Sequence, residues 1–303
     1  MTIVPPTPGE PRRPQGPRDP GDAWVIAEDG TKYWGAFGAA GLLAVDEVRG
    51  VLLQKRVEWS HFGGTWGIPG GALHQGEDAV TGALRESQEE AAVPPGAVRP
   101  LLTRVLDLEI WQYTTLVATV EEPFVPEIAD PESLELRWVP LDEVEDLPLH
   151  PGFGAAWPEL RRLLDLRPVI VVDVANVVGS VPNGWWKDRA GASTRVLERL
   201  ARLAADGIAG DRFGEPNVRW FPWIVAVLEG EARAAEDVDG ITVMRADGLG
   251  DEAIVAAVAL AGHEEDLAPR VTVVTSDREL QDRVSALGAT PRGAHWITEL
   301  LGE

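Results

Sequence analysis

Apolar positions in the first half of the chain fall into short β-type runs separated by two amphipathic helical segments. The runs that predict strands are 35–45, 50–56, 98–120 and 134–141, and the third is long enough for two strands. Residues 77–92 show a helical pattern, and residues 153–166 place Trp157, Leu160 and two further leucines on one helical face. This half of the chain therefore predicts an α/β fold.

The pattern changes after Leu166. Residues 168–178 form a near-continuous β-branched run, which predicts a strand buried on both faces. Helical segments and further apolar strands then alternate at 193–206, 223–229, 251–263, 270–276 and 297–301. Such alternation predicts a doubly wound, three-layer α/β domain with a mainly parallel sheet.

These patterns divide the chain into three parts. Residues 1–20 have five prolines among the first fifteen positions and few apolar side chains, which predicts a disordered Pro-rich tail. A first domain then covers 21–166 and a second covers 167–303. Prolines and arginines stand where a signal peptide would need apolar residues, and no apolar run approaches the ~18 residues of a membrane span. We therefore expect a cytoplasmic protein without membrane contact.

Composition narrows the chemistry. The 303-residue chain has no cysteine, which excludes thiolate metal sites, iron–sulfur clusters and a cysteine nucleophile. Its formal net charge is −22, and neither domain has a surplus of basic residues. The basic surface that drives non-specific nucleic-acid binding is therefore missing, so a phosphate-bearing ligand must meet local cations or metal ions. Excess carboxylate suits hard divalent cations.

Three carboxylates stand together on the first predicted helix. Glu86, Glu89 and Glu90 are three and four residues apart, so their side chains fall within one helical turn. Mg²⁺ between them would remove their mutual repulsion, because this ion prefers oxygen ligands. The alternative is a solvated acidic helix face. Arg85 and Glu77 are about two turns apart, and we expect a salt bridge between them that orients the cluster.

The whole segment resembles the Nudix box. Gly70 and Gly71 follow Pro69, which predicts a tight turn whose backbone approaches a ligand closely. The residues that match the box, in its spacing, are Gly71, Glu77, Arg85, Glu86, Glu89, Glu90 and Val93. Two positions depart from it, because Ser87 stands where the family has an aliphatic residue and Ala92 where it has glycine.

The resemblance implies an α/β/α sandwich and a hydrolase that uses Mg²⁺ or Mn²⁺. Its substrate would be a nucleoside diphosphate linked to another group, such as a nucleoside triphosphate, and it would release a monophosphate. Carried over residue by residue, the metal ligands are Glu86, Glu89, Glu90 and the backbone carbonyl of Gly71 or Gly70. Arg85 and Glu77 would orient them. The general base stays open between a glutamate of the box and Glu132.

Further residues are candidates for contact with the substrate. Lys55 and Arg56 end a predicted strand and would contact phosphates, or they are ordinary surface charges. Trp66 opens the segment that usually precedes the box in the family. His150 would contact a base or would cap a turn, and the turn is favoured.

In the second domain, acidic residues fall at the ends of predicted strands. Their positions, with one asparagine, are Asp173, Asn176, Glu229, Asp251 and Asp277. In an open α/β sheet, ligands bind beyond the carboxyl ends of the strands, so these residues predict an acidic metal site. Asp251 also opens a predicted helix, where its other role is to interact with the helix dipole.

Short motifs around these acids, VVDVAN, GDE and TSDR, resemble the NYN branch of PIN-like ribonucleases. The resemblance implies that Asp173, Asp251 and Asp277 are metal ligands and that RNA is the partner. Asn176 and Ser276 would assist, and Glu229 would be a fourth acid of the metal site. Two alternatives remain. The first domain would be a non-catalytic nucleotide sensor, or the second would be a degenerate RNA-binding or scaffold module.

Overall fold

The computed structural model describes residues 1–6, 19–181, 185–261 and 268–302. It divides into two compact units: Met1–Arg161 with Phe213–Arg219, and Arg162–Arg212 with Trp220–Glu303. The division thus falls a few residues before the predicted boundary, and a short later segment joins the first unit. Among the described residues, no helix has the length and apolar character needed to cross a membrane.

The first unit is built on a mixed sheet. Its strands are β1 (Thr2–Val4), β2 (Trp24–Ile26), β3 (Lys32–Trp34), β4 (Ala39–Asp46), β5 (Gly50–Arg56), β6 (Trp66–Gly67), β7 (Gly70–Ala72), β8 (Val98–Asp107), β9 (Gln112–Val120) and β10 (Ser133–Val139). The main sheet runs β10-β5-β4-β9-β8, with β6 on β5 and β7 on β4. The β4–β9 pair is parallel, whereas β5 and β7 pair with β4 in antiparallel fashion. The predicted strands are confirmed, including the two within 98–120.

Two helices belong to this part of the chain, α1 (Ala79–Ala91) and α2 (Pro151–Leu164). Alanines of α1 pack with Leu42, Leu52 and Leu116 of the sheet in one buried core. This core fixes which side of α1 faces the sheet. The predicted apolar face of α2 is buried as expected, including Trp157 and Leu160.

Local signals set the ends of α1. The Asp78 side chain accepts hydrogen bonds from the backbone N–H groups of Val80 and Thr81, so the helix begins at Ala79. At the other end, Ala92 has φ 52° and ψ 33°, and the Val93 N–H donates to the Ser87 carbonyl at 3.3 Å. This is a Schellman-type ending, which favours glycine because it needs a left-handed residue.

The beginning of the chain corrects one prediction. Residues 2–4 form a strand and are not part of a disordered tail, because the β-branched side chains of Ile3 and Val4 suit an antiparallel pairing with β2. This pairing builds a small sheet with the order β1-β2-β3. Residues 7–18 of the predicted tail lie outside the described residues.

The segment 213–219 was not expected in the first unit. The Val105 N–H of β8 donates to the Asn217 carbonyl at 3.0 Å, which ties this segment to the first unit. Asn217 has φ 62°, a conformation that asparagine tolerates better than most residues. Nothing in the hydrophobic pattern of seven residues indicates such a long-range return.

The second unit is a parallel α/β structure. Its strands are β11 (Leu166–Asp173), β12 (Ile208–Ala209), β13 (Val218–Trp220, which begins in the first unit), β14 (Trp223–Leu228), β15 (Thr242–Arg245), β16 (Ala268–Val274) and β17 (Thr290–Arg292). Its helices are α3 (Val174–Ser180), α4 (Arg189–Asp206), α5 (Gly250–Ala261), α6 (Arg278–Ala286) and α7 (Ala294–Leu300). The sheet order is β15-β14-β11-β16-β17, and every pair in it is parallel. The predicted parallel sheet is therefore confirmed.

The β-branched run 168–178 is not a single strand. β11 ends at Asp173, and α3 begins at the next residue. The Asp173 carboxylate caps this helix by accepting from the Asn176 N–H at 3.0 Å. The capping side chain thus outweighs the strand preference of the valines that follow it.

We predict that Ala92→Gly stabilises the first unit. An L-residue in the left-handed region costs roughly 1–2 kcal/mol, and glycine loses part of that gain through its entropy, so the net gain is roughly 0.5–1 kcal/mol. Calorimetric unfolding of the full chain measures it. Ala91→Gly, one residue earlier and helical, should destabilise by about 1 kcal/mol. A loss of stability in Ala92→Gly would contradict the prediction.

Candidate functional site

The carboxylates of α1 differ in exposure. Glu86 and Glu90 are each 2% exposed, whereas the Glu89 side chain is 42% exposed. The Glu90 Oε2 accepts a hydrogen bond from the Gly70 N–H of β7 at 2.9 Å. A solvated acidic helix face does not describe this arrangement, because two of the three side chains are buried. Burying a carboxylate costs several kcal/mol unless nearby donors offset the loss of water.

The glycines of β7 allow this burial. A Cβ atom at Gly71 would lie 2.6 Å from the Glu86 Oε2, and one at Gly70 would lie 2.5 Å from the Ala40 carbonyl oxygen. Gly70 and Gly71 are in a strand that pairs with β4 and do not form the predicted tight turn. The sequence signal for glycine was correct, but its reason is the close approach of Glu86 and of the neighbouring strand.

Arg85 ties α1 to the strand. Its Nε and Nη2 donate to the two Glu77 carboxylate oxygens at 2.8 and 2.9 Å, which is the predicted salt bridge. Its Nη2 also donates to the Ala72 carbonyl at 3.0 Å, and its Nη1 donates to the Glu86 Oε1 at 2.8 Å. These bonds, led by the one to Glu77, raise the pKa of Arg85 above its ordinary value. Arg85 in turn holds the pKa of Glu77 low.

The two departures from the box pattern have structural consequences and leave the carboxylates in place. Ser87 is fully buried, and its hydroxyl donates to the Leu84 carbonyl at 2.8 Å, so its polar group is satisfied within the helix. Ala92 takes the left-handed conformation that glycine would adopt at no cost.

The candidate base Glu132 lies on a segment bound to the end of α1. The Ala129 N–H donates to the Glu90 carbonyl at 3.3 Å, and the Val57 N–H donates to the Glu132 carbonyl at 3.0 Å. The role of Glu132 as a base stays a prediction.

Of the predicted substrate contacts, Lys55 and Arg56 are consecutive on β5, so their side chains leave opposite faces of the sheet. The two side chains therefore do not approach one phosphate from the same side, and contact of either with phosphates stays a prediction. Trp66 is 3% exposed, and the Arg137 guanidinium lies 4.7 Å from its ring centroid. A ring this buried offers almost no surface to a ligand, which corrects the prediction that Trp66 contacts the substrate.

In the second unit, the predicted acids surround one cavity of about 520 Å³. Its lining includes all five predicted residues, Asp173, Asn176, Glu229, Asp251 and Asp277, together with Ala175, Gly179, Ser180 and Ser276. The strand order explains the convergence. β14 and β15 lie on one side of β11 and β16 and β17 on the other, so the β11–β16 boundary is the switch point of the sheet. Asp173 ends β11, and Asp277 follows β16.

Hydrogen bonds connect these residues through Thr275, which sequence reasoning missed. The Thr275 hydroxyl donates to the Asp173 Oδ2 at 3.0 Å and accepts from the Asp277 N–H at 3.2 Å. The Asn176 side-chain oxygen accepts from the Ser276 N–H at 3.1 Å. Thr275 is fully buried, and although it belongs to the TSDR motif, the sequence alone assigns it no role.

Two carboxyl groups at this cavity have raised pKa values. Burial raises the pKa of Asp173, and Glu229 and Asp251 raise it further against hydrogen bonds that lower it. Burial also raises the pKa of Asp251, with Asp277 and Glu229 adding to the effect. Glu229 has a structural partner, because its Oε2 accepts from the Gly250 N–H at 2.9 Å at the start of α5.

Both carboxylate clusters offer the kind of ligand that a hard divalent cation prefers. They offer oxygen atoms only, and the buried members are shielded from water. Within the described ranges, however, no three acidic or imidazole side chains are already grouped closely enough to hold an ion. The two clusters therefore suit a divalent cation in the chemical type and the location of their side chains, but not yet in their spacing.

Comparison with known proteins identifies the first unit. A NUDIX domain is matched over residues 36–160. The protein named "Putative 8-oxo-dGTP diphosphatase 3" of Mycobacterium tuberculosis is 47% identical over 154 residues, which cover 48% of this chain and 70% of that protein. The "Nucleoside triphosphate pyrophosphatase/Nudix hydrolase fusion protein" of Bifidobacterium longum is 43% identical over 155 residues, 48% of this chain and 32% of that protein.

Among solved structures, a Nudix hydrolase from M. smegmatis, RenU, has 43% sequence identity and a TM-score of 0.43. The match covers 48% of this chain and 95% of that one. The matched domain ends at residue 160 and does not extend into the second unit.

We predict that Arg85→Lys destabilises the first unit by about 2 kcal/mol, because lysine keeps the charge but loses the two-pronged contact with Glu77 and the bond to Ala72. Urea unfolding of the full chain measures the change. Arg99→Lys is the matched control, since the Arg99–Glu121 pair is exposed and should contribute less than about 0.5 kcal/mol. Equal effects of the two substitutions would show that the Arg85 network is not structural.

Proposed function

The chain belongs to the Nudix family of hydrolases, which act on phosphorus-containing acid anhydrides, and from this premise we propose that it is a Mg²⁺- or Mn²⁺-dependent nucleoside triphosphate pyrophosphohydrolase. The observation that carries the proposal is the packing of Glu86 and Glu90 against β7, with Arg85 fixed between Glu77 and Glu86. A nucleotide-binding protein without catalysis would have no need to bury two carboxylates side by side.

The metal ligands in this proposal are Glu86, Glu89 and Glu90, with the backbone carbonyl of Gly71. When bound, a divalent cation neutralises the charge of the diphosphate and favours ionisation of the attacking water. The role of Arg85 is to hold the carboxylates in place, because its guanidinium is already committed to five oxygen atoms. Arg56 is the candidate cation for the phosphate chain, and Glu132 is a candidate base that receives the proton of the water.

The substrate class follows from the relatives and from the chemistry of the site. One relative is named for diphosphatase activity on 8-oxo-dGTP and another for pyrophosphatase activity on nucleoside triphosphates. We therefore propose a purine nucleoside triphosphate, with oxidised forms among the first to be tested. Cleavage releases pyrophosphate and a nucleoside monophosphate.

We predict that Glu90→Gln lowers kcat/KM by about 10²-fold or more, because the amide keeps the acceptor for Gly70 but loses the charge that holds a cation. Chromatography of products from a panel of nucleoside triphosphates with Mg²⁺ or Mn²⁺ measures it. Glu121→Gln, an exposed glutamate, is the control and should retain full activity. Activity that survives both Glu90→Gln and a chelator would contradict the proposal.

A second activity is proposed for the second unit, metal-dependent cleavage of RNA. The cavity lined by Asp173, Asp251 and Asp277 supports it, because separated acids at the carboxyl ends of strands suit divalent cations that act on phosphodiesters. Trp186 is 59% exposed, and the Arg189 guanidinium lies 5.3 Å from the Trp185 ring centroid. Exposed rings beside a cation are a suitable surface for single-stranded RNA.

We predict that the full chain with Mn²⁺ or Mg²⁺ cleaves a labelled single-stranded RNA, and that Asp173→Asn reduces the rate at least about 10²-fold. Asparagine preserves the helix cap, so loss of folding is not the expected cause. Asp282→Asn, an exposed acid on α6, serves as the control. If no RNA in a varied panel is cleaved, the second unit is better regarded as a binding module.

A further inference from the structure

The loop 57–65, between β5 and β6, carries exposed aromatic rings on an ordered backbone. Trp59 is 47% exposed and Phe62 is 45% exposed. The Gly64 N–H donates to the Arg56 carbonyl at 2.9 Å, and the Thr65 hydroxyl donates to the Phe62 carbonyl at 2.6 Å. The rings are therefore held in place by the loop and do not simply extend from a mobile segment.

Phe62 is strained in a way that the loop itself does not require. Its φ is 57°, in the left-handed region that costs a bulky residue roughly 1–2 kcal/mol. Gly63 and Gly64 follow immediately, so the loop already contains residues suited to this conformation. Strain at a surface aromatic residue indicates that the position of the ring is what matters.

Phe62 belongs to a row of contacting rings. Its centroid lies 4.2 Å from His61 and 4.9 Å from His150, and His61 lies 5.9 Å from Trp24. The His150 Nδ1 accepts from the Gly152 N–H at 3.2 Å, which leaves the proton on Nε2 as a donor. Burial, assisted by Arg56 and His61, lowers the pKa of His150 to about 4, so the ring is neutral at pH 7.

This row is connected to the carboxylate cluster by one short segment. The His150 N–H donates to the Trp66 carbonyl at 2.7 Å, and four residues later the Gly70 N–H donates to Glu90. Four residues span at most ~14 Å, so the Trp66 backbone beside His150 and the Gly70 backbone beside Glu90 lie within that distance of each other. Arg56 adds to burial in lowering the pKa values of His61 and His150. At Tyr113, burial raises the pKa, Arg56 lowers it, and Glu90 and Glu86 raise it, so the field of Arg56 reaches both the rings and the carboxylate side of the unit.

We propose that Phe62, with His61 and His150 beside it, is the platform that binds the purine base of the substrate. The base stacks on the exposed Phe62 ring, and the His150 Nε2–H donates to an acceptor atom at the edge of the base. The inference rests on the proposed nucleotide hydrolysis and adds to it the residues that select the base. Stacking of a base on an aromatic side chain tolerates several bases, whereas a single fixed donor discriminates among them.

The test is steady-state hydrolysis of purine nucleoside triphosphates by the full chain and by Phe62→Ala. The variant should raise KM about tenfold and leave kcat within twofold, because the base is bound equally in the ground state and the transition state. Ribose 5-triphosphate, which has no base, should show no change. Phe37→Ala is the matched control, since Phe37 is also 45% exposed and, in the described part of the chain, makes no ring contact with this row.

The substitution His150→Phe distinguishes the contribution of the hydrogen-bond donor from that of the aromatic ring. It keeps an aromatic ring beside Phe62 but removes the Nε2–H, and it should raise KM about fivefold for purines only. Binding of the same nucleotides in the Glu90→Gln background, measured by calorimetry, gives a readout independent of turnover.

Three outcomes are distinguishable. No turnover of any nucleotide by the unaltered chain would overturn the hydrolase proposal, while the calorimetric comparison would still test the platform. Turnover with equal KM in Phe62→Ala and Phe37→Ala would overturn the platform alone. A change in self-association of Phe62→Ala with unchanged KM would assign the exposed rings to a protein contact and would also overturn it.

Discussion

The buried pair Glu86 and Glu90 is the constraint on which the first unit depends. Two carboxylates four residues apart on one helix repel each other, and each loses water when the helix packs on the sheet. Arg85 and the Gly70 N–H supply the donors that offset this loss. The absence of a side chain at Gly71 supplies the space. The helix and the strand thus depend on each other, because the carboxylates need the space and the N–H group that the glycines provide.

The same matching explains why the site is rigid where chemistry needs it. Arg85 donates to the Glu77 carboxylate just before α1 and to the backbone carbonyl of Ala72 in β7. These bonds restrict sliding of α1 along the sheet. Glu89, by contrast, is exposed and lies at the edge of the cluster. In the proposed hydrolase, two fixed carboxylates and one more accessible one would suit the uptake and release of a cation.

The second unit reaches a comparable collection of acids by a different route. Its acids come from the ends of separate strands and the starts of the helices that follow, and the parallel topology brings them to one edge of the sheet. Three of them also have a local structural role: Asp173 and Asp277 cap helices, and Glu229 accepts from the first residue of α5. Burial raises the pKa values of Asp173 and Asp251, and repulsion from neighbouring carboxylates adds to the effect.

The sequence by itself determined the elements and the chemistry of both clusters. Periodicity located the longer strands of the two main sheets and the helix that carries Glu86, Glu89 and Glu90, because consecutive residues carry the local burial pattern. It did not locate the short strands β15 and β17 of the second sheet. Spacing also gave the Arg85–Glu77 pair. Only the tertiary structure decided that β7 is a strand, that Trp66 is buried, and that Thr275 connects Asp173 with Asp277. It also decided the pairing of residues 2–4 and the return of residues 213–219, because these depend on contacts between residues far apart in the chain, which no local pattern encodes.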